Sequence, residues 1–267
     1  MNKNTRFELS FKNITQLENK LNFCKLNNIK NINIPCKGLI KKEFFNYTIN
    51  YISKNFHEFN VTYHYSLYHQ YSKNKNKSYH DFLDFIKSSY TNKNYEILLV
   101  SGSNKKKDFD SIDALVDLKK EENLKVKLGI AYNPYLKKYY KISSERERFE
   151  RKFSTGLINS IWFQYGTDIK VLQNEVTYLK NATKDVKLNL FGSLFIPSNQ
   201  FIARFKFRPW KEVYISEKCL YALENFFDFT NDLVSFYKKN NITPVIESDF
   251  SSSEKLDSVY SFLENER

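Results

Sequence analysis

Short, β-branched apolar runs alternate with longer amphipathic segments along the whole chain, and this alternation limits the folds open to it. Eight runs read as strands: Arg6–Ser10, Asn31–Pro35, Phe59–His64, Glu96–Ser101, Lys125–Ala131, Ile158–Gln164, Val186–Ser193 and Thr243–Glu247. Several are apolar on consecutive positions, as in Glu96-Ile-Leu-Leu-Val100, which is expected of parallel strands buried on both faces. Between them, Ile14, Leu17, Leu21 and Cys24, then Phe44, Tyr47 and Tyr51, then Phe82, Phe85 and Ile86, recur at helical spacing. Asp108 or Asp110 is placed to cap a helix over 111–120, and Ser198 to cap the one after strand seven. Eight strands with intervening helices predict a single eight-stranded β/α barrel domain over residues 1–267, with extra helix in Glu217–Asn241 before strand eight. An open doubly wound sheet is the weaker alternative, because no glycine-rich phosphate loop follows strand one. There is no linker and no internal repeat.

Length and composition agree. The 267 residues fit one α/β barrel, and only 6 Gly and 5 Pro exclude collagen-like or Gly/Pro-rich disordered chains. No apolar run approaches the roughly 18 residues a membrane span needs. The polar start of the chain argues against a secretory signal, and Cys24, Cys36 and Cys219 are sparse and odd in number. A cytoplasmic location with reduced thiols is therefore expected. The formal charge of +12 is shared with a general richness in Lys, Asn, Tyr and Phe, so part of it reflects composition bias. Lys73, Lys75, Lys77, then Lys105, Lys106, Lys107, then Lys137, Lys138 and Lys141 follow strands three, four and five, where they would form a basic rim for an anionic ligand. Nucleic acid is disfavoured because no recognition motif accompanies the charge. His57, His64, His69 and His80 lack metal-ligand spacing, and no Ser sits in a nucleophile elbow.

In a β/α barrel the chemistry is carried at the C-terminal strand ends. Those positions hold Glu8, Ser10, Asn33, His64, Ser66, Ser101, Gly102, Ser103, Asn133, Gln164, Ser193, Glu247 and Asp249. Each alone is most simply a hydrogen-bonded polar residue; together they describe a polar mouth.

The serial order of these segments resembles the methylenetetrahydrofolate reductase family. Phe7-Glu-Leu-Ser-Phe-Lys12 is similar to its FEFFPPK opening, and Tyr63-His-Tyr-Ser66 to its PHLT segment. Leu99-Val-Ser-Gly-Ser103 stands at its ALRGD, and Ile130-Ala-Tyr-Asn-Pro134 at its VAxNP turn. Glu150-Arg-Lys-Phe-Ser-Thr-Gly156 with Trp162-Phe-Gln164 resembles the KxxAG…TQ stretch, and Ile196-Pro-Ser-Asn199 the PVSN stretch. The resemblance implies reduction of methylenetetrahydrofolate to methyltetrahydrofolate, with hydride passing from NAD(P)H through FAD. It makes Glu8 the general acid that opens the folate's imidazolidine ring, a role for which burial should raise its pKa. It makes Gln164 the pterin-edge residue, with Asn33 and Glu247 also on the folate. It gives His64, Ser101, Gly102, Ser103, Ala131, Asn133, Arg151 and Lys152 to the flavin, the last two to its pyrophosphate. The departures are specific: the Arg and Asp of ALRGD are Ser101 and Ser103, and a hydroxyl cannot supply the lost negative charge. Glu247 or Asp249 is placed to restore a carboxylate. Two other readings follow from the departures: a flavin-free enzyme that binds tetrahydrofolate and transfers hydride or a one-carbon unit directly, and a non-catalytic partner subunit of an active reductase. The oligomeric state, with like or unlike chains, is left open.

Overall fold

The computed structural model describes residues 5–36, 42–89, 95–102, 109–121, 124–136 and 145–264. Eight parallel strands close into a barrel in sequence order, with helices alternating between them. The strands are β1 (Arg6–Glu8), β2 (Asn31–Ile34), β3 (Asn60–Ser66), β4 (Tyr95–Val100), β5 (Leu128–Tyr132), β6 (Ile158–Phe163), β7 (Asn189–Leu194) and β8 (Ile242–Ile246). The helices are α1 (Ile14–Leu26), α2 (Lys42–Asn55), α3 (Lys75–Ser89), α4 (Ser111–Leu118), α5 (Glu145–Phe153), α6 (Ile169–Ala182) and α7 (Asn199–Phe207), then α8 (Glu217–Tyr221), α9 (Leu223–Asn240) and α10 (Ser253–Glu264). All eight expected strands form, and α8 with α9 fill the segment expected to hold extra helix before β8.

Local chemistry sets the helix ends. Asp110, rather than Asp108, caps α4: its Oδ1 accepts from the N–H groups of Ile112 and Asp113, and Asp113 reciprocates to the Asp110 N–H. Asp108 lies outside the described residues. Ser198 caps α7 through the Phe201 N–H at 3.0 Å. On α1 the expected stripe is buried at Leu17, Leu21 and Cys24. On α2 the stripe is rotated by one position from the one expected: Phe45, Ile49 and Ile52 are buried, while Tyr47 is 52% exposed. The run Phe44-Phe45 offers two phases, and the aliphatic pair Ile49 and Ile52 decides between them, leaving Tyr47 to stack on Tyr51 outside.

The backbone divides into two compact units. The first holds Met1–Arg6, Tyr132–Glu147 and Ser160–Arg267; the second holds Phe7–Ala131 and Arg148–Asn159. In the second, β1 to β5 pair in register, with Glu8 beside Asn33, Asn33 beside Thr62 and Thr62 beside Glu96. Strand alternation sends the neighbours of these residues outward. Tyr65 packs on Phe82 and Phe85 of α3, which marks the outward face of β3. Thr62, His64 and Ser66 therefore face inward, in register with Asn33 and Glu8.

In the first unit Trp162 of β6 stacks on Phe191 of β7 at 4.0 Å and 19°, and its Nε1 donates to Ser160 Oγ. The Arg6 guanidinium lies 5.8 Å from both rings. On the outward face, Tyr132 and Arg146 both bond Glu175 of α6, Arg146 through Nε and a second nitrogen at 3.0 Å each. The Glu175 carboxylate, nine-tenths buried, is thereby paired and hydrogen-bonded, the condition for burying a charge at acceptable cost.

Gly192 of β7 lies against Tyr237 of α9: a Cβ there would stand 2.4 Å from the ring Cζ, and the Tyr237 hydroxyl donates to Ser193 O at 2.9 Å. Gly192→Ala should therefore cost about 1–3 kcal/mol through overpacking and lower Tm by about 2–4 °C per kcal/mol. Thermal unfolding of Gly192→Ala alone and with Tyr237→Leu checks this: the ring truncation should reduce the cost of the added methyl, and equal costs in both backgrounds would refute the contact as its cause.

Candidate functional site

The second unit gathers the clearest polar cluster. Glu8 ends β1, is 8% exposed, and has its Oε2 3.8 Å from His64 Nδ1. Both come from inward faces, β1 and β3, with β2 between them. Asn33 of β2 is fully buried beside Glu8 in register, and Thr62 beside Asn33 is also fully buried, its hydroxyl without a partner among the described residues. Ser66, one step further along the inward face of β3, accepts weakly from the His69 N–H at 3.4 Å. This cluster can hold a polar ligand and exchange a proton: a carboxyl and an imidazole face each other where solvent is nearly excluded.

The end of β4 is built differently. Ser101 Oγ lies 2.6 Å from Ser111 Oγ, accepts from the Ser111 N–H at 3.2 Å and from Arg148 at 3.4 Å. Arg148 also donates to Asp110 at 3.1 Å. Burial alone would raise the Asp110 pKa, but the Asp113 N–H, the Arg148 charge and the Ile112 N–H outweigh it and hold the carboxyl below the usual range. Gly102 has φ +87, and a Cβ there would stand 2.5 Å from Tyr68 Cβ, so only glycine fits this turn. Ser103 lies outside the described residues.

The flavin set can now be placed. Ala131 follows Gly129 on the inward face of β5, and its carbonyl takes a 3.4 Å bond from Lys152 Nζ. Lys152 is 4% exposed, and Arg151 beside it is exposed on α5. In the first unit, Asn133 accepts from the Tyr135 N–H at 2.9 Å and donates to Glu212 O at 3.1 Å. The side chains of Ser101 and Asn133 are thus spent on protein partners, and Lys152 is turned to a carbonyl. Arg151 is the member whose cationic side chain is open to solvent.

Gln164, just past β6 in the first unit, is half-buried, and its N–H donates to Tyr132 O at 2.9 Å. Glu247, just past β8, takes a short hydrogen bond from Ser193 Oγ. Asp249 is exposed: against a burial effect that raises it, Lys255 and Ser251 pull its carboxyl down to about 2. Of the two carboxylates placed to compensate the altered β4 segment, Glu247 is the one held at a strand end, and Asp249 is occupied on the surface. Of the basic rim, Lys75 pairs with Asp113 at 3.3 Å and Lys77 with Asp81 at 3.5 Å. Lys105, Lys106, Lys107, Lys137, Lys138 and Lys141 lie outside the described residues. Cys24, Cys36 and Cys219 are buried free thiols. No described helix is long and apolar enough to cross a membrane.

No protein-family model matches the chain, and no curated protein matches it in sequence. Solved structures do match its fold. An uncharacterized protein from Clostridium thermocellum that binds two copies of 5-methyl-5,6,7,8-tetrahydrofolic acid superposes with a TM-score of 0.62 over 97% of this chain and 93% of that one, at 13% identity. The catalytic domain of a hyperthermophilic chitinase from Pyrococcus furiosus superposes with a TM-score of 0.54 over 99% of this chain and 97% of that one, at 11% identity. A folate binder and a chitinase on one scaffold show that the likeness reaches the fold; function has to be argued from the site.

Reading strand ends placed Glu8, Asn33, His64 and Ser101 at or near the ends of β1 to β4, where the structure has them. It missed Thr62, two residues before His64 on the same face, which period-two alternation alone would have found. It also missed Arg148, for which only the charge-rich run Glu145–Lys152 gave a signal.

Because the folded Asp110 pKa is depressed, its contribution to stability is present above the unfolded value of about 3.9 and is lost as pH falls through the folded value. Asp110→Asn keeps a capping oxygen and removes the charge. The Tm of the wild type should exceed that of Asp110→Asn at pH 6, and the gap should close below about pH 4; a gap that does not change with pH would mean the charge contributes nothing.

Proposed function

We propose that this chain binds a reduced folate and acts on its one-carbon unit, with Glu8 as the proton donor. The observation that carries the reading is the Glu8–His64 pair, buried on the inward face with Asn33 beside it in register. A carboxyl so placed can protonate a folate nitrogen and become a carboxylate beside an imidazole able to take positive charge. In the first unit by itself, Gln164 offers a donor and an acceptor on one planar group and Glu247 a carboxylate, groups of the kind a pterin edge bonds. The Clostridium thermocellum protein supports the ligand class, since a methyltetrahydrofolate binder shares this fold over nearly the whole chain.

The order of motifs supports a place near the methylenetetrahydrofolate reductases, with NAD(P)H as hydride source. The bonds of Ser101 and Asn133 weigh against FAD as the relay, so we favour the flavin-free form. No step through a flavin is drawn.

Isothermal calorimetry with 5-methyltetrahydrofolate should show saturable binding, weakened about tenfold (about 1.4 kcal/mol) by Glu8→Gln. Absence of binding by the wild type would overturn the reading. Purified protein mixed with FAD and passed through a desalting column should come out colourless. Retained flavin absorbance would instead favour the FAD-dependent reductase.

A further inference from the structure

The run from Asn199 to Lys211 carries four cations, Arg204, Lys206, Arg208 and Lys211, and no carboxylate. Composition bias does not account for it. The bias of this chain is toward Lys, Asn, Tyr and Phe, whereas the run holds two of its seven arginines and one of its two tryptophans. In the structure, Ile202 and Phe205 of α7 are buried. Ala203, Arg204 and every residue from Lys206 to Lys211 are exposed. Phe207, the last residue of the helix, is 92% exposed and Trp210 is 40% exposed. Arg204, Lys206 and Arg208 bond no carboxylate among the described residues.

Local packing holds this display in place. The Arg208 N–H donates to Arg204 O at 2.9 Å and closes α7, and Pro209 cannot continue it. The Val213 N–H then bonds Trp210 O at 3.3 Å. The Trp210 indole packs against Phe195, Phe201 and Phe205 at centroid distances of 5.2, 5.4 and 6.1 Å. All of these residues belong to the first unit. A single exposed apolar residue needs no explanation. Here an almost wholly exposed phenylalanine and a partly open tryptophan alternate with cations, on a helix end whose other face is buried.

We infer that the end of α7 and the turn after it form a docking surface for an anionic lipid bilayer. Phe207 and the open part of Trp210 enter the headgroup layer, and Arg204, Lys206 and Arg208 meet lipid phosphates. The cations call for an anionic partner. Aromatic rings interleaved with Lys and Arg suit the membrane–water interface, where a ring rests at headgroup level and cations are drawn to the negative surface. A soft headgroup layer admits a ring that stands clear of its own protein, whereas a protein partner would have to supply a shaped pocket for it. Single-stranded nucleic acid stacks on a series of open rings along a basic groove, and Trp210, held by three phenylalanines, is not such a platform. The contact is interfacial, since no described helix is long and apolar enough to cross a membrane. It stands independently of the folate reading.

The test is flotation of the full chain with vesicles of phosphatidylcholine, with and without phosphatidylglycerol, read together with tryptophan emission. Trp162 is 6% exposed, so a blue shift on binding reports Trp210. The protein should float with the anionic vesicles alone, with a blue shift, and added salt should weaken the binding. Lys206→Glu with Arg208→Glu should weaken it by about tenfold or more, and Phe207→Ser by about tenfold. Lys184→Glu with Lys187→Glu makes the same change in charge at exposed positions elsewhere in the same unit, and should leave binding within about twofold. Every substituted side chain is exposed, so each variant should keep the wild-type Tm. No binding to the anionic vesicles would overturn the inference. Equal losses from the two charge-reversed pairs would overturn it too, because net charge would then be the cause. So would wild-type binding by Phe207→Ser without a blue shift, since no ring would enter the bilayer. Binding of oligothymidylate in place of vesicles would give the surface to nucleic acid and overturn the lipid assignment.

Discussion

Tyr65 leans outward between Phe82 and Phe85 of α3, with ring centroids 4.8 and 4.7 Å away, and that contact fixes which face of β3 looks inward. Side chains alternate along a strand, so anchoring one large ring outward commits Thr62, His64 and Ser66 to the interior. Parallel pairing passes the choice to the neighbours: Ile32 and Ile34 lie outward, Asn33 inward, and Glu8 beside it. The apolar contacts with the helices stabilise the barrel, which lets the inward face of this unit be polar. Slipping β3 by one residue would bury Tyr63 and Tyr65 in the interior and turn His64 away from Glu8. Fold and site therefore rest on the same packing.

Much of the fold was legible because it depends on patterns that the sequence displays directly. Eight β-branched runs gave eight strands, since burial on both faces demands consecutive apolar residues. Caps at Asp110 and Ser198 were legible because capping is a local hydrogen bond between neighbours in sequence. The phase of α2 was not, because Phe44 and Phe45 are adjacent and only contact with the sheet chooses between them. Division into two compact units was also not legible: they interleave segments distant in sequence, and no linker marks them.

The site was legible in part, for the same reason. The positions of Glu8, Asn33 and His64 follow from counting to the strand ends, and register then sets Glu8 beside Asn33. Ser101 was found by position, but what it bonds could not be read: its partners Ser111 and Arg148 lie 10 and 47 residues away. Asn133 was likewise placed at a strand end, yet its amide is spent on Tyr135 and, 79 residues on, Glu212. A motif resemblance transfers a position; the partners at that position belong to the individual chain.

The altered β4 segment shows how such a change propagates. An arginine and an aspartate at the resembling positions would bring a charged pair to the end of the strand. Here the hydroxyl of Ser101 is short enough to meet Ser111 at the first residue of α4, drawing the helix start onto the strand end. Arg148 then arrives from α5 and bonds both Ser101 and the Asp110 cap, so one guanidinium ties the β4 end to the start of α4. Ser101, Ser111, Asp110 and Arg148 are bonded to one another in this cluster, so that a small hydroxyl takes part in a structural joint. The Glu8–His64 pair is built differently: two inward-facing side chains from β1 and β3 meet across β2, with no helix start in the contact. That difference between the strand ends is the basis on which we propose proton exchange at β1 and β3 rather than at β4.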